Sequence, residues 1–203
     1  MTEVSTGTPA RAAVAPRKAL VRNHLPGESS MWFFVIGDLI IFGVYFVVYM
    51  YYRGHNQDLF LASQAKLNYN IGVVNTVVLL TSSLFVALGT SAARAGKTAD
   101  AYRLFCLALA GGAVFPVLKA FEYVPEITAG LTPGTNLFFM FYYVMTGMHL
   151  CHVLLGLAIL YFVVRNLRGP AAPRISLVET GATYWHMVDL LWLVLFALLY
   201  LMR

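Results

Sequence analysis

Five apolar stretches, separated by short polar connections, decide what this chain can fold into. They run roughly from Met31 to Tyr52, Ile71 to Ala92, Tyr102 to Phe121, Asn136 to Val164 and Thr180 to Leu201. A bilayer core about 30 Å thick needs about 20 residues of helix to cross it, and inside it every backbone N–H and C=O must be satisfied within the protein. Runs of this length predict helices and exclude a β-barrel, whose strands are shorter and alternate in polarity. The composition agrees. Hydrophobic residues make up 60 % of the chain and charged ones 11 %, where a soluble domain carries about 25 % charged residues. The expected fold class is all-α, an integral membrane bundle of five transmembrane helices. Asn136 to Val164 is longer than a crossing requires, so that helix should tilt or project.

The connections carry helix-stop signals: "YRGHNQD", "ARAGKTAD", "TAGLTPGT" and "RNLRGPAAPR". Lys and Arg number ten on the side of the N-terminal tail and the second and fourth connections, against three on the other side. The positive-inside rule then puts the N-terminus in the cytoplasm and the C-terminus on the outer face. The expected location is a bacterial inner membrane. Topology and lipid headgroups account for the net charge of +5, so no nucleic-acid partner is needed. Residues 1–26, rich in Ala, Pro, Thr and Arg, read as a disordered cytoplasmic tail, and 27–203 as the membrane domain. Cys106 and Cys151 both fall in apolar runs and read as packing residues.

Ionisable groups at membrane depth are costly, so each is a functional candidate. They are Asp38 in the first span, Lys119 and Glu122 in the third, His149 and His152 in the fourth, and His186 and Asp189 in the fifth, with Asn75 an uncharged polar group in the second. At about 1.5 Å per residue, Asp38, His186 and Asp189 lie roughly 8–13 Å in from the cytoplasmic side, with His152 somewhat deeper. Lys119 and Glu122, three apart toward the outer end, are expected to form an interfacial ion pair. Trp32, Trp185 and Trp192 read as lipid or interface anchors, as do Tyr142 and Tyr184 near span ends. His149 and His152 share a helix face. That spacing suits a metal or haem site, a proton path, or buried polar contacts that fix helix packing.

Four segments carry a resemblance. "MWFFVIGDLIIF" is similar to W-x-F-x-x-S-E, "NTVVLLTSS" to N-T-x-x-L-L-x-S-S, "TGMHLCHVLLG" to T-G-x-H-x-x-H-V-x-x-G, and "YWHMVDLLW" to Y-W-H-F-V-D-x-x-W. In order and spacing, from about residue 26 onward, the chain resembles subunit III of the haem-copper oxidases. The resemblance implies an accessory subunit without catalytic residues. It would bind no metal or haem, since haem and copper belong to the partner subunits I and II. It also implies packing against subunit I, support of its proton uptake, bound phospholipid, and an approach of Asp38 to His152. His149, His186, Asp189, Glu122 and Asn75 would complete the buried polar contacts. The chain departs from the long family form by lacking two preceding helices, and by Asp38, Gly37 and Lys119 in place of Glu, Ser and Gln. In these respects it is similar to quinol oxidase subunit III and to the accessory protein of nitric oxide reductase. The function implied is that of subunit III of a terminal cytochrome c or quinol oxidase. The alternatives are the nitric oxide reductase accessory and a stand-alone haem or metal protein using His149 and His152.

Overall fold

The computed structural model describes residues 29–169 and 172–202. The N-terminal tail with its basic residues, and Arg203, lie outside that range. Six α-helices follow in order: α1 (Ser29–His55), α2 (Gln57–Gln64), α3 (Tyr69–Arg94), α4 (Thr98–Thr128), α5 (Leu137–Arg168) and α6 (Ile175–Phe196). A π-helical turn, Ala197–Leu201, continues α6. All but α2 are long and apolar enough to cross a membrane. No strand occurs among the described residues, so the chain is an all-α, multi-pass membrane bundle.

The ends of the helices follow from local chemistry. Asn68 caps α3 by accepting from the Asn70 and Ile71 N–H groups, and Asn136 caps α5 through the Phe139 N–H. Gly96 and Gly130 stop α3 and α4 with φ near +76° and +79°. Just beyond them, the Lys97 and Leu131 N–H groups reach back to the Ala92 and Glu126 carbonyls at 2.9 Å. Left-handed backbone of this kind suits glycine, which has no Cβ to clash.

Helices α3, α4, α5 and α6 close into a ring, each packing on the next and α6 back on α3. Helix α6 is the most enclosed, with 67 % of its most apolar stretch buried, whereas for α1 the figure is 11 %. Helix α1 leans on α5 and α6 from outside the ring and shows Phe33, Ile40 and Val47 outward. Helix α4 runs through both Pro116 and Pro125, so it ends seven residues beyond the expected Phe121. Helix α2 was not foreseen. It forms because Phe60 inserts between the rings of Tyr49 and Phe138, at 5.4 and 5.7 Å.

The expected anchoring role of Trp185 and Trp192 is corrected by the structure, which leaves them 1 % and 0 % exposed. Tyr142 and Tyr184 are equally buried. Trp185 is drawn inside because Gly112 on α4 and Gly156 on α5 leave a slot for its indole. A Cβ on Gly112 would stand 2.5 Å from Trp185 Cη2, and one on Gly156 2.9 Å from Cε3. The neighbouring Gly111 has room, since its Cβ would meet Ser82 Cβ at 3.5 Å. Gly112→Ala is therefore expected to destabilise the bundle by about 1–3 kcal/mol. Gly111→Ala should be neutral or stabilising by up to about 1 kcal/mol. Thermal unfolding of the two variants in detergent checks the contrast. Cys151 lies exposed and Cys106 half-buried, so Cys151 is not a core packing residue.

Candidate functional site: two polar clusters inside the bundle

The buried polar groups divide into two clusters with an aromatic layer between them. At the end of the bundle where α1 begins, α1, α3, α5 and α6 supply Asp38, Ser83, His152 and Asp189, together with His186, which was expected to be buried but lies exposed on α6. His152 Nε2 stands 3.3 Å from Asp38 Oδ2, with both side chains mostly shielded. The other ring nitrogen, Nδ1, lies 2.8 Å from the Met148 carbonyl. A carbonyl only accepts, so Nδ1 carries a proton, and Nε2 is the nitrogen left facing the Asp38 carboxyl. The His152 ring also sits edge-on to Phe42 at 5.4 Å, which fixes its tilt.

On the neighbouring α6, His186 Nδ1 is 2.6 Å from Ser83 Oγ. Asp189, three residues along α6 from His186, is buried with its Oδ1 left without a hydrogen bond within the chain. Trp32, half-buried, shares with Val35, Leu39, Met187, Leu190 and His186 an apolar groove of about 370 Å³ along α1 and α6. Asn75, fully buried, has neither amide atom hydrogen-bonded within the chain.

His149 does not join His152. Its ring lies 5.4 Å from Phe115 and 5.3 Å from Trp192, fully buried and with neither nitrogen hydrogen-bonded. Three residues along α5, then, one imidazole faces the aromatic core and the other faces Asp38. Among the described residues no three His, Cys, Asp or Glu side chains converge as a metal site would need.

At the other end, where α4 finishes, lies the cluster that sequence reasoning largely missed. Lys119 and Glu122 were expected at the interface. They are instead 0 % and 2 % exposed and 2.8 Å apart. Lys119 Nζ also donates to Tyr200 Oη at 2.9 Å and to Tyr142 Oη at 3.3 Å. The rings of Tyr142, Trp192, Tyr123 and Tyr200 surround the ammonium at 4.9 to 5.5 Å. A cation enclosed by aromatic faces and fully hydrogen-bonded is tolerable out of water where a bare one is not. Glu126, one turn beyond Glu122, joins through Tyr142 at 3.4 Å and Tyr143 at 3.3 Å. The i, i+4 spacing of the two glutamates was a visible signal. Ending the span at Phe121 left Glu126 out of consideration and hid it.

The family model for cytochrome c oxidase subunit III matches residues 62–203, which include every described helix except α1 and the start of α2. Cytochrome c oxidase subunit 3 of Thermostichus vulcanus is 30 % identical over 83 % of this chain and 84 % of its own length. The Synechocystis protein of the same name is 34 % identical over 83 % of this chain and 72 % of its own length. A heme-copper oxidase subunit I+III from Aeropyrum pernix is 32 % identical over 86 % of this chain, which spans 22 % of that longer protein. With a helical membrane bundle carrying these motifs, a family model over residues 62–203 and relatives matched over more than four fifths of its length, the chain belongs to the cytochrome c oxidase subunit III family and is an accessory subunit III of a haem-copper oxidase.

Proposed function

We propose that this chain stabilises subunit I of a haem-copper oxidase and supports its proton uptake from the cytoplasmic side, with the N-terminus on that side in a bacterial inner membrane. It performs this role without binding haem or copper, which reside in subunits I and II. The observation that carries the reading is the Asp38–His152 contact. It is a titratable pair at 3.3 Å joining α1 to α5, in the half of the bundle where α1 begins. Two further facts support it. His149 is fully buried against Phe115 and Trp192, as a packing residue would be. The Aeropyrum pernix relative carries the names of subunits I and III in one chain, which suits a partner of subunit I. Phospholipid acyl chains fit the apolar groove along α1 and α6, with Trp32 at its edge.

Two experiments test the proposal. Asp38→Asn removes the carboxyl group that faces His152 at 3.3 Å while keeping the side-chain shape. The variant complex is expected to assemble, yet to lose activity several-fold faster during turnover than the parent. Unchanged assembly, turnover and inactivation rate would remove Asp38 from the proposal. Gentle-detergent purification from native membranes, followed by optical spectroscopy and mass spectrometry, tests the partner. Recovery of an oxidase subunit I whose haem signal leaves with it supports the reading. Recovery of nitric oxide reductase subunits instead, or a haem signal retained by this chain and lost in His149→Ala, overturns it.

A further inference from the structure

Counting protons in the cluster at the end of α4 leads beyond the accessory role. Lys119 has three N–H groups and three acceptors: Glu122 Oε2, Tyr200 Oη and Tyr142 Oη. Tyr200 in turn donates to Glu122 Oε1 at 2.6 Å. The Lys119–Glu122 pair is thus neutral and closed, with no donor to spare. The Tyr142 oxygen accepts from Lys119, so its one proton goes to Glu126 Oε1.

That leaves Glu126 Oε2, 3.3 Å from Tyr143 Oη. Tyr143 also has one proton, and its closer partner is the Leu131 carbonyl at 2.8 Å, which can only accept. With that proton committed, the contact between Tyr143 Oη and Glu126 Oε2 brings two oxygens together with no hydrogen between them. A carboxylic acid at Glu126, donating to Tyr143 Oη, completes the network. It also avoids placing two negative carboxylates on a single buried ammonium.

We propose that Glu126 is a proton-binding site, a neutral carboxylic acid that exchanges its proton with water on the face of the bundle where α4 ends. The route is a cavity of about 270 Å³ lined by Glu122 and Glu126 together with Lys66, Asn68, Ala129 and Leu131. The charged and titratable groups around Glu126 are Lys119, Glu122 and Tyr123 on α4, Tyr142 and Tyr143 on α5, Tyr200 beyond α6, and Lys66 at the exposed rim. Because Tyr143 bonds both Glu126 and Leu131, the proton ties the last turn of α4 to the second turn of α5. Loss of the proton turns a donor into a repelled acceptor and loosens that tie. The site lies at the opposite end of the bundle from Asp38 and does not depend on the role proposed for it.

The test is infrared spectroscopy of the full chain in lipid nanodiscs at neutral pH, in H2O and in D2O. The parent minus Glu126→Gln difference spectrum is expected to show the C=O stretch of one protonated carboxyl, shifted in D2O. Tyr143→Phe should keep that band but move it to higher frequency, because its hydrogen-bond acceptor is gone; this arm stands even if Glu126→Gln fails to fold. Absence of the band, or no response to Tyr143→Phe, overturns the proton assignment. A band that never shifts in D2O overturns the exchange through the cavity.

Discussion

Lys119→Met is expected to cost the bundle about 3–5 kcal/mol, enough to prevent stable accumulation of the folded chain. The side chain is fully buried, and its ammonium is the positive partner of Glu122 at 2.8 Å. Removing it leaves a carboxylate out of water with only the Tyr200 hydroxyl at 2.6 Å for support. It also strands the Tyr142 oxygen that had accepted from Nζ. Breaking one partner of a buried pair is costlier than removing both, because the surviving charge is uncompensated. Lys119→Met combined with Glu122→Gln should therefore recover most of the loss. Thermal unfolding of the three proteins in the same detergent checks this. If the single variant unfolds within about 1 kcal/mol of the parent, the pair is solvated and its enclosure is wrong. If the double variant is no better than the single, uncompensated charge is not the cause.

Trp192→Ala should cost a comparable amount, about 3–5 kcal/mol, for a different reason. Lipid tails are as apolar as the core, so transfer from water adds little; what is lost is packing. The indole lies 4.7 Å from the Phe115 ring and 5.3 Å from His149. It forms one wall around Lys119 at 5.2 Å, and its Nε1 donates to Thr76 Oγ1 at 3.0 Å. Its removal opens a void between the two polar clusters and unpins α6 from α3 and α4. Trp192→Phe keeps most of the volume and forfeits mainly the bond to Thr76, about 1 kcal/mol. Unfolding midpoints in nanodiscs should thus rank the parent first, Trp192→Phe second and Trp192→Ala well below. Equal midpoints for the two variants would mean that the hydrogen bond, and not the ring, holds this layer.

Some of this was open to reading from the chain and some was not, and particular residues show why. Lys119 and Glu122 are three apart, so their pairing follows from helical geometry, but their enclosure depends on Tyr142 from α5 and Tyr200 from beyond α6. Trp185 and Trp192 have the composition of interface anchors. Only the slot left by Gly112 and Gly156, on two other helices, turns Trp185 inward. Phe60 sits in what reads as a polar connection, and α2 exists because rings from α1 and α5 receive it.

The sequence by itself determined that this protein crosses a membrane five times as helix. Apolar length and the need to satisfy the backbone within each segment are properties of the chain alone. Its motifs also carried the resemblance to subunit III, and its glycines and asparagines marked where α3, α4 and α5 begin or end. The tertiary structure decided which polar groups meet. It separated His149 from His152, enclosed Lys119 in four aromatic rings, and brought Glu126 to Tyr143. These outcomes depend on how helices distant in sequence rotate and pack against one another. Residue spacing fixes only which side chains share a face of one helix.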